Sequence, residues 1–357
     1  MIKILVLSTG GTISHDVTED GMHVSNAKAT TGKTFAHILQ TATRTFDEKV
    51  VIKAETILNK DSGNMVMSDW KAIIDGVVRN YDGYDGFIVT HGTETMGYSS
   101  AAVSFALPNL GKPVVFTGAQ VAYGQIGTDA VINLENALRF IEQVRDARGV
   151  FVVFGSHIVA GTRAKKGSEF KYDAYKLQPR FPMIGMIGHR LEMFGANLER
   201  HASYLQPYAL KSADLRVEDK FSDQVAIVSE FPGMRYDVII NMAKSGIKGF
   251  ILRSYGSGVP NIAPPDGTWE DLRPAFEYLR EKKIPIAITS QAPDARACMS
   301  IYEPSFLAKE LGAIPTNDMG IEAAIAKMSW LLGKGYEYEK IRDLMQKPLR
   351  GEMVSLK

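Results

Sequence analysis

Apolar, strand-like runs alternate with stretches of helical spacing along most of this chain, and no other feature restricts its fold as much. In the first half the runs fall at 2–8, 50–56, 86–90, 113–117 and 149–154, and the helical patterns at 33–44, 68–80, 95–106 and 129–146. Ser68 stands where an N-cap belongs, and Trp70, Ile73, Ile74, Val77 and Val78 follow at helical spacing. Alternation of this kind predicts βαβ units, and therefore a parallel, doubly wound sheet.

Residues 155–205 interrupt the pattern with turn residues, aromatics and short extended pieces, which predicts a β-hairpin or an irregular excursion. A polar stretch at 206–224, with Lys211, Asp214, Arg216, Glu218, Asp219 and Lys220, is the expected linker. Alternation then resumes, with strands expected at 225–230, 249–254 and 284–289 and helices at 236–245, 269–282, 304–311, 319–333 and 337–346. The expected fold class is α/β. A larger N-terminal domain at 1–205 carries a doubly wound, mainly parallel sheet, and a smaller C-terminal α/β domain at 225–357 carries a parallel sheet of its own. A chain of 357 residues is long enough for both.

Composition narrows the function. A formal net charge of +1 gives no pull toward nucleic acid or an anionic membrane surface. Residues 1–7 lack the pattern of a secretory signal, and no run approaches the ~18 apolar residues of a membrane helix. Cys298 is the only cysteine, so no intrachain disulfide can form and a reducing compartment suits the chain. The histidines show no ligand spacing with Cys298 or with paired carboxylates, so no metal is expected. These features describe a cytoplasmic enzyme or binding protein.

Two of the strand-like runs lead into glycine-flanked threonines, at Leu7-Ser8-Thr9-Gly10-Gly11-Thr12-Ile13 and at Thr90-His91-Gly92-Thr93-Glu94-Thr95-Met96. A parallel sheet exposes ligands at the carboxyl ends of its strands. Threonines there point to hydroxyl-based covalent chemistry, because a hydroxyl is a weak nucleophile that needs an activating neighbour. Each motif also has a plainer reading. Gly10-Gly11 can serve a tight βα turn alone; neither the phosphate-loop nor the dinucleotide glycine pattern is present. Glu94 can be a favourable charge at a helix start, or it can bind a cationic amine while Thr93 places a hydroxyl or a water. Asp61-Ser62-Gly63-Asn64-Met65 is either a polar turn leading to the Ser68 cap or a loop whose Ser62 and backbone amides hold a carboxylate. Arg163-Ala164-Lys165-Lys166 is either a solvated basic loop or the source of a lysine base. The polar stretch 14–32, with Gly21 and Gly32, has the length of a lid.

Taken jointly, and across nearly the whole chain, these segments resemble in order and spacing the bacterial-type L-asparaginase/glutaminase family, most of all its cytosolic type I branch. Thr9-Gly10-Gly11-Thr12-Ile13 is similar to the family's first threonine signature. Thr90-His91-Gly92-Thr93-Glu94-Thr95-Met96 resembles its second, usually His-Gly-Thr-Asp-Thr-Met. Asp61-Ser62-Gly63-Asn64-Met65 resembles its substrate-carboxylate loop, and Arg163 and Lys166, ahead of Asp173-Ala174-Tyr175, resemble the segment that carries its lysine. Ile251-Leu252-Arg253-Ser254-Tyr255-Gly256 is similar to the type I signature of the second domain. The resemblance implies an amidohydrolase that needs no cofactor and acts on a small amino-acid amide, L-asparagine first. Thr12 would attack the amide carbon. Thr93, Lys166 and Glu94 would handle the proton, and backbone amides near Thr93 would hold the oxyanion. Ser62 and Glu94 would hold the two α-substituents, with Asp61, Gly63, Gly11 and Gly92 in the binding loops and Gln120 in support. The family's site lies between subunits, so a homodimer or homotetramer is implied.

Three departures fall at the implied site. Glu94 replaces the usual Asp, one methylene longer. No tyrosine occurs between residues 13 and 80, where the family has a loop tyrosine; Gly21-Met22-His23 occupies that region. After Tyr255 the chain reads Gly256-Ser257-Gly258-Val259-Pro260-Asn261, without asparagine directly after the second glycine. They keep two other functions open: an amidase for a different small amide, and an amino-acid sensor without turnover. A related component of tRNA-dependent amidotransferases shares the threonine motifs but carries an additional N-terminal domain, which this sequence is expected to lack.

Overall fold

The computed structural model describes residues 1–14, 16, 17, 23, 24, 31–44, 46, 50–175, 183–262 and 271–354. Most of the expected lid at 14–32 and the first residues of the helix expected at 269–282 lie outside them. Contacts divide the described residues into two units, with the change at Asp219 and Lys220.

The strands of the first unit are β1 (Ile2–Gly10), β2 (Asp16–Val17), β3 (His23–Val24), β4 (Val50–Lys60), β5 (Gly86–Thr90), β6 (Pro113–Thr117), β7 (Gly149–Phe154), β8 (His157–Ala160), β9 (Gly185–Ile187) and β10 (Leu191–Met193). Eight of them form one sheet in the order β10-β9-β8-β7-β6-β5-β1-β4, while β2 and β3 pair with each other. The sheet is parallel from β4 to β7 and antiparallel from β7 to β10. Its helices are α1 (Thr31–Thr43), α2 (Met67–Arg79), α3 (Met96–Ala106), α4 (Ala130–Gln143) and α5 (Gly195–Ala202). Every strand and helix expected before residue 155 is present, with ends shifted by a few residues; β4 runs on to Lys60, and the N-cap of α2 is Val66, whose N–H donates to Asp69, so Ser68 lies inside the helix and is not its cap. The excursion after β7 is β-rich. It turns at Gly155-Ser156, with Gly155 at φ +57°, and pairs Phe154 with His157 as a hairpin.

Strands buried on both faces need cover on both sides. Ile4, Val6, Ile88, Val115 and Phe151 pack with Ile38 of α1 and with Leu134, Ala137 and Leu138 of α4. On the opposite face α2 comes so close that a Cβ on Gly76 would stand 3.2 Å from Leu7. Burial of each such aliphatic side chain contributes ~1.5–3 kcal/mol, which holds the sheet rigid beneath its loops. Because β1 lies between β4 and β5, the chain leaves β1 toward one side and returns on the other. The loops after β1 and β5 therefore part at the switch point, where an open α/β sheet forms its crevice.

The stretch 206–224 is shared between the units. Asn109 fastens its first part: its side-chain amide donates to the Asp214 carbonyl at 2.9 Å and accepts from the Arg216 N–H at 2.9 Å. The second unit holds the parallel strands β11 (Val225–Ser229), β12 (Gly249–Ser254), β13 (Ile286–Ser290) and β14 (Ile314–Pro315), in that order. Helices α6 (Tyr236–Lys244), α7 (Arg273–Glu281), α8 (Glu303–Glu310), α9 (Ile321–Gly333) and α10 (Tyr338–Met345) accompany them. The core there centres on Phe250, Leu252, Phe276, Leu279 and Ile288. β14 is two residues long, below the length at which a strand pattern can be read. Among the described residues no helix is long and apolar enough to cross a membrane.

Candidate active site

Three loops converge at the carboxyl ends of β1, β4 and β5, and their glycines explain how closely. Gly11, at φ +80°, has its backbone against that of Gly92: a Cβ there would stand 2.4 Å from the Gly92 nitrogen. Gly92 in turn lies on Ser62, where a Cβ would stand 2.5 Å from Oγ. No side chain fits at either position without moving backbone or a buried serine. Hydrogen bonds lock the arrangement. The Gly11 N–H donates to the Lys60 carbonyl at 3.0 Å, and Thr9 Oγ1 donates to the Thr90 carbonyl at 2.9 Å. Ser62 Oγ accepts the Glu94 N–H at 3.1 Å, and Thr95 Oγ1 donates to the Ser62 carbonyl at 2.8 Å.

A fourth segment arrives from the antiparallel side of the sheet. Lys166 pairs across a single β-bridge with Tyr175, and the Gly167 N–H donates to the Ala174 carbonyl at 2.8 Å. From there Lys166 Nζ donates to Thr93 Oγ1 at 2.9 Å and to Glu94 Oε1 at 2.5 Å. Glu169 Oε2 is a third partner at 2.5 Å. The Tyr175 hydroxyl donates to the Thr93 carbonyl, and its ring packs on Phe154 with centroids 5.3 Å apart. The lysine head is thus held on a hydroxyl and two carboxylates, with its side chain 12% exposed, while Glu94 is 54% exposed. A hydroxyl, an amine and a carboxylate in mutual contact can pass a proton and bind an incoming cation.

Behind the loop, His91 is fully buried, and burial pushes its pKa down to about 4 against the opposing pulls of the Gly92 carbonyl and Asp69. The ring is therefore neutral. A carbonyl only accepts, so Nδ1–H donates to the Gly92 carbonyl at 2.7 Å and Nε2 accepts from the Ser99 hydroxyl at 2.9 Å. Both ring nitrogens are thus engaged within the protein, and His91 braces Gly92. His201, against Phe151 with ring centroids 5.1 Å apart, is pushed down to about 4 by burial as well. In the unfolded chain both rings protonate near pH ~6.5. Below that pH the unfolded state takes up protons that the folded state refuses. The stability gained from neutral burial is therefore complete above about 6.5 and lost as pH falls toward 4, by up to ~3 kcal/mol per histidine. The denaturation midpoint should drop steeply across this window, and His201→Leu should flatten part of the slope; an unchanged slope in that variant would count against the assignment.

Direct contacts join Gly11, Gly92, Ser62, Thr93, Glu94 and Lys166 among the residues singled out by sequence, and Thr12 is the next residue after Gly11. Asp61 plays a local part: its carboxylate caps the short turn Ser62–Asn64 by accepting the Gly63 N–H at 2.7 Å. Gln120 reaches the loop beyond Lys166, donating to the carbonyls of Ser168, Glu169 and Lys171 at 3.4, 3.0 and 3.3 Å. Gly21 and Met22, in the region of the absent tyrosine, lie outside the described residues, and His23 pairs with Val17 in the β2–β3 ladder. Sequence reasoning missed Glu169; residues 166–169 are not helical, so its spacing of three from Lys166 carried no signal. It gave Tyr175 no role, and nothing local to that residue points to Thr93. Among the described residues no group of three or more His, Cys, Asp or Glu could hold a metal ion.

Comparison with known proteins bears on the family and the fold. Residues 3–198 match the family model "Asparaginase, N-terminal", and residues 224–345 match "Glutaminase/Asparaginase C-terminal domain". L-asparaginase 1 of Escherichia coli is 30% identical over 294 residues, covering 82% of each chain. One component of the glutamyl-tRNA(Gln) amidotransferase of Aeropyrum pernix is 31% identical over 312 residues, covering 85% of this chain and 69% of that one. The solved structure of the thermostable L-asparaginase from Thermococcus kodakarensis superposes with a TM-score of 0.84 at 29% identity, covering 99% of this chain and all of that one. Two family models in tandem, with relatives and a solved structure of the same family along most of the chain, give the assignment: the chain belongs to the asparaginase family and is an L-asparaginase-like amidohydrolase.

Proposed function

We propose that the enzyme hydrolyses the side-chain amide of L-asparagine to L-aspartate and ammonia through an ester on Thr12. The observation that carries this reading is the seating of Gly11 on Gly92, which brings the turn of Thr12 onto the loop of Thr93 and Glu94, where Lys166 is already bonded to both. Thr12 Oγ adds to the amide carbon and its proton passes through the Thr93–Lys166–Glu94 group to the departing nitrogen. The C–N bond breaks, ammonia leaves, and water then cleaves the ester and returns a proton to Thr12. Backbone N–H groups near Thr93 receive the charge that develops on the carbonyl oxygen. Ser62 and Glu94 take the α-carboxylate and α-ammonium. On the family resemblance the enzyme works in the cytoplasm as a homodimer or homotetramer.

One observation favours a second substrate class. Glu94 is longer than the family's Asp and reaches Lys166 at 2.5 Å, which suits an amide without an α-amino group. Ammonia release from L-asparagine, L-glutamine and succinamate separates the readings. We expect L-asparagine to give the highest kcat/KM. A folded sample that releases ammonia only from succinamate would replace the substrate, and one that releases none would overturn hydrolysis.

A further inference from the structure

We propose that Glu169 is a positioning residue that shares Lys166 with Glu94 and so leaves Glu94 free to bind a substrate ammonium. The inference rests on the reading above, in which Lys166 and Glu94 serve the substrate. Lys166 Nζ stands 2.5 Å from a carboxylate oxygen of each glutamate. One ammonium thus faces two carboxylates, and the cluster carries an excess negative charge. If Glu94 were the lysine's only anion, an entering α-ammonium would have to compete with Lys166 for it. With Glu169 as a second anion, Lys166 keeps a partner while Glu94 turns to the substrate.

The turn that presents Glu169 is built for that position. Ser168 Oγ accepts the N–H groups of Phe170 and Lys171 at 3.2 and 3.0 Å, which closes the turn around Glu169. Gln120 Nε2 donates to the carbonyls on both sides of it and to its own. Gln120 is itself fixed, because its backbone N–H donates to Asp129 Oδ1 at 2.9 Å, and Asp129 is buried. Tyr172 ties the far side down through its hydroxyl to the Gly127 carbonyl at 2.6 Å. The Glu169 side chain is itself 79% exposed, so the bonded turn and not burial sets where its carboxylate stands, and the arrangement gives Gln120 its supporting role in physical terms.

The sign of the effect depends on the ligand's charge. Removing a negative charge beside the α-ammonium subsite weakens a ligand that carries an ammonium. It leaves unchanged, or tightens, one that carries carboxylates alone. The probes are L-aspartate and succinate, which differ by that one group, titrated calorimetrically into wild type, Glu169→Gln and Glu169→Asp. In Glu169→Gln the dissociation constant of L-aspartate should rise about fivefold, as befits a partly solvated pair, while that of succinate stays level or falls. Glu169→Asp should recover most of the difference, and Gln120→Ala should show a smaller effect of the same sign. A parallel change for both ligands would reveal a structural role and overturn the proposal, as would no change for either. Binding is read apart from turnover, so a wild type that binds L-aspartate yet releases no ammonia defeats the proposed hydrolysis while still testing Glu169. Failure of wild type to bind either ligand defeats both.

Discussion

Thr12→Ala should fold, bind L-aspartate with an affinity within about threefold of wild type, and release ammonia at least ~10⁴-fold more slowly. The size of the loss follows from the chemistry, since without Oγ no ester can form and only general positioning remains. The small effect on folding follows from the location. Thr12 lies in a three-residue turn, partly exposed, and the neighbouring backbone is held by Gly11 through Lys60 and Gly92 rather than by the threonine side chain. Two hydroxyls compete for the role of nucleophile, and mass spectrometry of a quenched reaction decides between them. The acyl adduct is expected on the peptide containing Thr12. Thr93 is buried, with Oγ1 already accepting from Lys166, so Thr93→Val should slow acylation strongly while any adduct that forms still maps to Thr12. An adduct on Thr93, or full activity in Thr12→Ala, would exchange the two roles.

Residues that act within one loop could be read from the chain itself, whereas those that act between loops could not, except where the family resemblance supplied the pairing, as it did for Lys166 with Thr93 and Glu94. Gly10-Gly11-Thr12 and Gly92-Thr93-Glu94 follow buried strands, so strand periodicity and glycine chemistry located them directly. That the two glycines touch depends on β1 and β5 being neighbours, and this is a property of strand order. Tyr175 is the same case, since its hydroxyl reaches a carbonyl 82 residues away. The helix–strand alternation was legible through most of the chain, but it missed the eight-residue α5 inside the stretch expected to be a hairpin or irregular. It failed to resolve β8, β9 and β10, of four, three and three residues, whose pairing comes from the hairpin turn at Gly155 and from the sheet they extend. Gln120 and Glu169 show a third kind of blindness. Polar residues in a loop look solvated in sequence, and only the turn they build together shows which way each one points.

A buried ion pair in the second unit yields the largest stability effect we expect. Lys327 lies on α9 among apolar neighbours, and both it and Glu352 are fully buried, with Nζ 2.5 Å from Oε1. The glutamate also accepts the N–H groups of Leu349, at 3.0 Å, and Arg350, at 2.7 Å, so it ties the tail after α10 to the core. Burial pulls the lysine's pKa down and Glu352 pulls it back up. For Glu352 burial opposes ionisation, yet Lys327 and the backbone amides outweigh it and hold the carboxyl below its usual range. Lys327→Met would fill similar space but strand a carboxylate in the interior, at a cost of ~3–5 kcal/mol. That corresponds to a fall of roughly 10 °C in the unfolding midpoint of this unit. Replacing both partners, as Lys327→Met with Glu352→Gln, removes the stranded charge and should regain more than half of the loss. The double-mutant cycle therefore tests the cause as well as the size. Equal destabilisation in the single and double variants would mean that lost packing, rather than an unpaired carboxylate, governs the effect. The mutated residues belong to the second unit, and the threonine loops belong to the first. Hydrolysis measured well below the new midpoint should stay within about twofold of wild type, which would separate a loss of folding from a loss of chemistry.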